Sequence, residues 1–407
     1  MKRSLIAKLE CPFCGSPLDL ADCAGTLQDE AAVTHGVLYC SCNSYVIVDG
    51  IPYFREGELG PRAIEQLDRR DVNAARATLL EIDPAIETKL REVRSFRDAL
   101  ALFDLGPEAH YFLYRFSDPR FVGSDAVVRA MAGPDSHLAA RDNGIAIDLC
   151  GGTGHLTRSI QRTGQFADVI LADYFFWKVW LGRRFVAPGC EAACIDANRA
   201  LPFNRGTFDM LLCSGAFEYV WARRSLADEV KRSLSPQGVA LMTHLKNINC
   251  DTFNPGMPLD PAGYRRLFSD WPNHAFNESE LFREAVAGQA IDFSAGRTDE
   301  ELEAEPGLAV IASRVEATFT RKRIGACIGE NRLALNPLYT RSGDRLLLQF
   351  PTEEYEAEFE ECLAYLPRSV DLTREQAAGM DASRLDAPAL ASLRASRVIL
   401  DLPKEYL

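Results

Sequence analysis

"IAIDLCGGTGH", residues 145–155, runs an apolar strand straight into a glycine-rich turn. Asp148 closes the strand, Gly151, Gly152 and Gly154 crowd the turn, and Cys150 stands where a further glycine is expected. The pattern then repeats. "LTRSIQRTG" (156–164) is a helix ending on Gly164, and "DVILAD" (168–173) is a second buried strand ending on an acid, Asp173. "EAACID" (191–196) is a third strand and ends on Asp196; "FDMLLCSG" (208–215) and "SLSPQGVALMTHL" (233–245) supply a fourth and a fifth. Strands alternating with helices predict a parallel sheet covered on both faces. Ligands of such sheets lie beyond the carboxyl ends of the strands, so the turn, Asp173, Asp196 and the segment after the fourth strand should share one crevice.

A dinucleotide-binding turn reads G-x-G-x-x-G, whereas Gly152 onward reads G-T-G-H-L-T and has no third glycine. The order of glycine turn, two strand-end acids, "LPFNRGTFD" (201–209) and "LSPQG" (234–238) resembles the class I S-adenosylmethionine-dependent methyltransferases over residues 143–316. "DLCGGTG" is nearest the quinone-biosynthesis C-methyltransferases within that class. The resemblance implies an α/β, Rossmann-like, seven-stranded sheet with S-adenosylmethionine as cofactor. It implies a cofactor site of Asp148, Cys150, Gly151, Gly152, Gly154, Asp173, Tyr174, Asp196, Ala197 and Ser214. The glycines let the backbone approach the cofactor's methionyl part, Asp173 chelates the ribose, Tyr174 or Phe175 lies on the adenine, and Asp196 with Ala197 reads its edge. Each acid has a plainer reading as a helix N-cap. Methyl transfer needs positioning, exclusion of water and, for an O or N nucleophile, a base. The side chains placed for this are Glu218, Tyr219 and His244, with His244 the best base because an imidazole titrates near neutrality. His155 reads as a helix-start residue.

The amino-terminal cysteines form two close pairs, Cys11-x-x-Cys14 and Cys40-x-Cys42. Two knuckles of this kind suit a zinc ribbon closed by four thiolates. The second pair is tighter than C-x-x-C, so Cys23 and His35 stand as alternatives for one ligand. "YVIVDGIPYF" (45–54) reads as a strand and an Asp49-Gly50 turn. Together these residues resemble the small zinc-ribbon family that activates tRNA and protein methyltransferases, over residues 5–55. A ribbon this small has little core, so metal would supply much of its folding energy.

Four regions are expected: a zinc ribbon (1–58), a helical lid or substrate region (61–142), the cofactor-binding domain (143–316) and an α+β appendix (317–407). Residues 61–105 read as helical with few breakers, and the aromatics of 108–121, Tyr111 and Tyr114 among them, are candidate substrate-pocket walls. A short helix is expected over 124–132. An antiparallel pair at 290–295 and 308–315 is expected to close the sheet, with Asn277 capping a helix between the fifth strand and that pair. "RLLLQF" (345–350) reads as a strand, and the acids of 351–367 as the solvated face of a helix that buries Tyr355, Phe359, Cys362 and Leu363.

The net charge is −13 over 407 residues, and residues 1–60 alone carry four Lys/Arg against eight Asp/Glu. Such a chain repels phosphate backbones, and its one basic triplet, 321–323, reads as a solvated turn. Twelve cysteines without a disulfide pattern fit a cytoplasmic protein, and no apolar run is long enough to span a membrane. Three functional classes follow. The leading one is a methyltransferase acting on a small molecule, such as a specialised metabolite or sugar; the second modifies RNA; the third is a non-catalytic scaffold. A homo-oligomer is compatible with each.

Overall fold

The structure is a computed structural model that describes the chain except residues 22–24, 141–142, 252–255, 289 and 330–331 and the side chain of residue 140. It divides into two compact units, residues 1–93 with 124–328, and residues 94–123 with 329–407. The first unit is built on a seven-stranded sheet. Its strands are β1 (Ile145–Leu149), β2 (Asp168–Asp173), β3 (Glu191–Cys194), β4 (Phe208–Ser214), β5 (Leu234–Lys246), β6 (Asn273–Asn277) and β7 (Gly307–Ser313). Their order across the sheet is β6-β7-β5-β4-β1-β2-β3. The first five strands run parallel, while β7 pairs antiparallel with both β5 and β6. This is the Rossmann-like fold the motifs implied. Helices α1 (His155–Gln161), α2 (Phe176–Leu181), α3 (Arg223–Ser233) and α4 (Glu278–Ala287) connect strands of the sheet.

The closing pair is placed differently from the expectation. Ala290–Asp292 lies outside the large sheet and pairs with Arg321–Arg323, and the sixth strand is Asn273–Asn277. Lys322, expected on a solvated turn, is fully buried and donates its Nζ to the carbonyls of Ala317 and Asp135 and to Thr320 Oγ1. Burial lowers its pKa, as desolvation disfavours an ammonium. Arg323 is paired with Asp135 at 2.7 Å.

The ribbon strand Ser44–Val48, paired with Val33–Tyr39, turns through Asp49 and Gly50, both left-handed (φ +52° and +73°), into Ile51–Pro52, as an Asp-Gly hairpin turn demands. At its other end the thiols of Cys11, Cys14, Cys40 and Cys42 lie within 4.8 Å of one another. Sγ separations are 3.5 Å for Cys11–Cys42 and Cys40–Cys42 and 3.7 Å for Cys14–Cys40. A zinc tetrahedron with bonds of about 2.3 Å has edges of about 3.8 Å, so the donor set fits a structural site of four thiolates. The Tyr45 hydroxyl, 3.1 Å from Cys11 Sγ, supplies an outer partner. His35 is not a ligand; it accepts from the Asp49 amide at the opposite end of the hairpin. Cys23 lies outside the described residues.

The ribbon does not stand alone. Phe54 donates its amide to Cys194 O at 2.8 Å, and Tyr53 bridges Cys194 in parallel, so the ribbon chain continues the sheet past its β3 edge. Leu5, Leu9, Leu18, Leu38 and Phe54 join one apolar cluster with Ile147, Ile170, Ile195 and Phe203 of the sheet domain. Each fully buried side chain of this kind contributes about 1.5–3 kcal/mol.

Helices Leu59–Asp68, Val72–Leu80 and Pro84–Glu92 belong to the same unit, and Phe96–Leu100 to the second. The long helical run expected over 61–105 is cut because Asp71, Asp83 and Ser95 cap new helices, each accepting a backbone N–H two or three residues on. In the second unit the two chain pieces interlock. Phe96 N–H donates to Glu405 O (2.7 Å), Tyr406 Oη to Phe112 O (2.9 Å), and the Phe96 and Tyr406 rings stack at 5.0 Å. Tyr111 and Tyr114 lie in this unit, under the Arg115 guanidinium and against the Tyr355 ring respectively. The acid-rich helix is shorter than expected, Glu353–Glu358 followed by a 3-10 turn, and buries Tyr355, Phe359 and Cys362 while Leu363 is half-buried.

Purified without chelator, the protein should carry one zinc per chain by metal analysis, and Cys42→Ser should lose it. Stoichiometric zinc in the variant would move the fourth ligand elsewhere.

Candidate active site

The turn after β1 is wound tightly. Cys150, Gly152 and Gly154 all have positive φ (+57°, +57° and +82°), and Gly151 donates its amide to Ala172 O at 3.0 Å. A Cβ on Gly151 would sit 2.6 Å from Asp148 Cγ and 2.7 Å from Leu171 Cδ1, which is backbone approach only glycine allows. Cys150 occupies a glycine-type conformation with a side chain, at a cost of about 1–2 kcal/mol. Asp148 is 1% exposed and accepts from Thr157 Oγ1 at 2.7 Å, so it braces the turn from below. His155 is buried as well, its Nδ1 3.2 Å from Thr153 Oγ1.

Asp173 ties the turn to α2. Its two carboxylate oxygens accept from Gly152 N–H (2.9 Å) and Phe175 N–H (3.0 Å), which fixes the group at the strand end with lone pairs remaining for a diol. Tyr174 and Phe175 follow it, each residue 41% exposed, and the Arg55 guanidinium of the ribbon chain lies 3.8 Å over the Tyr174 ring. Asp196 Oδ1 accepts from both the amide and the side chain of Asn198 (2.9 and 3.1 Å). Asn198 in turn accepts from Trp221 N–H at 2.7 Å. Asn198 thereby links the loop after β3 to the loop after β4; an Asx residue two positions beyond a strand-end acid was the signal for it. Ala197 is buried beside Asp196. Ser214, at the end of β4, faces Ser124 Oγ at 3.2 Å.

His244 sits on an irregularity of β5, where the register to β7 shifts between Met242 and Leu245 and His244 itself takes φ +53°. A bulge of this kind re-aims a side chain. The imidazole lies against Gly215, whose Cβ would come 2.9 Å from His244 Cδ2, and its Nδ1 is 2.8 Å from both oxygens of Glu278. Glu278 opens α4, which Asn277 caps by accepting Ser279 N–H at 2.8 Å, and Gly307 leaves room for its carboxylate. With Nδ1–H donated to Glu278, Nε2 is the basic nitrogen. Sequence reading found His244 and the cap but not Glu278. Glu218 is 2% exposed within the 3-10 turn Phe217–Tyr219, while Tyr219 is 49% exposed. Tyr111 and Tyr114 belong to the other unit.

Residues 146–238 match the family described as a methyltransferase domain. Comparison with curated proteins found no match. Among solved structures, the YcgJ protein of Bacillus subtilis is 14% identical, covering 44% of this chain and 95% of its own, with a TM-score of 0.30. Geranyl diphosphate C-methyltransferase of Streptomyces coelicolor is 15% identical over 44% of this chain and 74% of its own, at a TM-score of 0.32. A chain from the complex of the Haloferax volcanii Trm112 methyltransferase activator with a methyltransferase is 17% identical over 55% and 99%, at 0.33. The chain thus contains a class I methyltransferase domain. The turn after β1 with Asp173 fits S-adenosylmethionine, the cofactor that the sequence resemblance implies. No helix among the described residues is long and apolar enough to cross a membrane.

Asp173→Ala should weaken S-adenosylhomocysteine binding by about 1.5–3 kcal/mol in calorimetry, the worth of hydrogen bonds to a charged group. Unchanged affinity would remove Asp173 from the ribose role.

Proposed function

We propose that the protein methylates a small-molecule acceptor, with His244 as the base and Glu278 as the group that orients it. The observation carrying this reading is the pairing of a buried imidazole with a carboxylate at the carboxyl end of β5, on a strained backbone. Strain of this kind is retained where surrounding structure holds a side chain in a working direction.

The bound cofactor supplies an electrophilic methyl group on a sulfonium. The glycine turn and Asp173 hold the cofactor's methionyl and ribose ends, and Asp196 with Ala197 reads the adenine edge. Tyr174 and Phe175 offer ring faces to the adenine. Glu278 fixes the tautomer of His244, so Nε2 would take up the proton of an oxygen or nitrogen nucleophile. Glu218 and Tyr219 border the same crevice from the loop after β4 and serve acceptor binding.

A small acceptor is favoured over RNA by charge. Of the basic triplet, Lys322 is buried and Arg323 pairs with Asp135, which leaves Arg321 as its one exposed cation not counted in such a pair. The chain carries a net −13, and phosphate binding depends on exposed cations.

Incubation with methyl-labelled cofactor and either a small-molecule extract or bulk RNA should place label in the small-molecule fraction. On that substrate His244→Gln and Glu278→Gln should each lower kcat by about 10²–10⁴. The double variant should fall little further, as residues acting as a unit do. S-adenosylhomocysteine affinity should stay unchanged. Label in RNA overturns the acceptor class, and full activity in Glu278→Gln overturns its orienting role.

A further inference from the structure

The chain leaving the ribbon reaches the crevice. Tyr53 bridges Cys194 in parallel and Phe54 donates its amide to Cys194 O, so this segment runs in the direction of β3, toward the carboxyl ends of the strands. Successive side chains of an extended segment point to opposite sides. Phe54 and Glu56 turn to the loop after β3, where Glu56 pairs with Arg199 at 2.9 Å and both line a narrow cleft with Asp196. Tyr53 and Arg55 turn to α2 and the loop before it. The Tyr53 ring lies 6.4 Å from that of Phe176, and the Arg55 guanidinium lies 3.8 Å from the centre of the Tyr174 ring. Residues 53–56 thus flank both Tyr174 and Asp196, the two residues proposed to meet the adenine.

Arg55 is itself held in place. Its side chain is 11% exposed, its Nη1 donates to Glu81 Oε1 at 3.3 Å, and the Tyr53 ring lies 5.6 Å from the guanidinium. Glu81 closes the helix Val72–Leu80 in a left-handed conformation, so the partner is fixed by its own element. Tyr174 is pinned at its backbone, where its carbonyl accepts from Cys194 Sγ at 3.1 Å, but its side chain is 41% exposed. An exposed aromatic side chain is free to exchange rotamers. A guanidinium stacked on one face favours the single rotamer in which that contact is made, and burial of the cation strengthens it.

We propose that Arg55 is a positioning residue for the cofactor: seated on one face of Tyr174, it holds the ring so that the other face meets the adenine. The proposal rests on the reading that Tyr174 lies on the adenine. A ring ordered before the ligand arrives spares binding the cost of ordering it. A guanidinium suits the task because its plane stacks on an aromatic face while its edge keeps a carboxylate partner, here Glu81. The ribbon chain thereby takes part in cofactor binding through a residue outside the domain that carries the glycine turn.

The test is a double-mutant cycle by calorimetry on the full-length, zinc-loaded protein, with S-adenosylhomocysteine and 5′-methylthioadenosine, which lacks the amino-acid end, as probes. Arg55→Gln and Tyr174→Leu should each weaken both ligands by about three- to thirtyfold, the range of a cation–π contact. The double variant should bind within about twofold of Tyr174→Leu alone, because Arg55 acts through that ring. Arg55→Lys, which keeps the charge beside Glu81 and loses only the planar stack, should weaken both ligands as well. Zinc content of one per chain in each variant shows the ribbon folded. Losses that multiply in the double variant would make Arg55 a merely structural tie between ribbon and sheet and overturn the proposal. Full affinity in both Arg55 variants beside a weakened Tyr174→Leu overturns the role of Arg55 alone, whereas full affinity in Tyr174→Leu overturns the adenine reading and the proposal with it.

Discussion

The hydrogen bond from Phe54 N–H to Cys194 O joins the two parts of the first unit. β3 ends the seven-stranded order, and an edge strand exposes unpaired backbone groups that must be covered or paired. The ribbon meets that demand with its own chain. The same contact solves the ribbon's problem, since a module of about 55 residues buries so little apolar surface by itself that its stability is marginal. Leu5, Leu9 and Phe54 are buried because the sheet domain supplies Ile195 and Phe203 to pack with them. The four clustered thiols, a donor set that fits zinc, gather one end of the hairpin, and Asp49 anchors the other through Arg76 and Trp180. The strand so held leads directly to Asp196, the acid proposed to read the adenine edge.

The crevice depends on backbone conformations that most residues resist. Cys150 and His244 are both non-glycine residues at positive φ, and both lie at the ends of central strands. The first lets the turn wind beneath Gly152, whose amide is delivered to Asp173. The second turns an imidazole onto Gly215 and toward Glu278. In each case the surrounding structure holds a conformation that the residue alone would resist.

The sheet and its strand-end acids were legible because their signal is local. A buried strand, a strand-end acid and a glycine turn occupy consecutive positions, and physics ties each to its neighbour. The same holds for the two cysteine knuckles and for the Asn277 cap. What escaped was set by tertiary contact. Glu278 looked like one more acid in a helix's first turn, and only the return of β7 through Gly307 places it against His244. The sixth strand, Asn273–Asn277, is polar and short, and reads as a strand only beside β7. Arg321–Arg323 looked solvated because nothing local announces that Lys322 is buried under three oxygen acceptors. The pairing of residues 94–123 with the carboxyl-terminal 329–407 is a contact across more than two hundred positions, beyond the reach of any window. The likeness of residues 5–55 to the activator family remains a statement about sequence.

Hydrogen–deuterium exchange before and after zinc chelation tests the central claim, that ribbon and sheet edge form one cooperative structure. Peptides covering 44–54 and 191–203 should lose protection together when the metal is removed, because the Phe54–Cys194 bond and the shared core link them. Loss confined to 44–54, with 191–203 as protected as before, would contradict it and leave the ribbon a passenger on the methyltransferase domain.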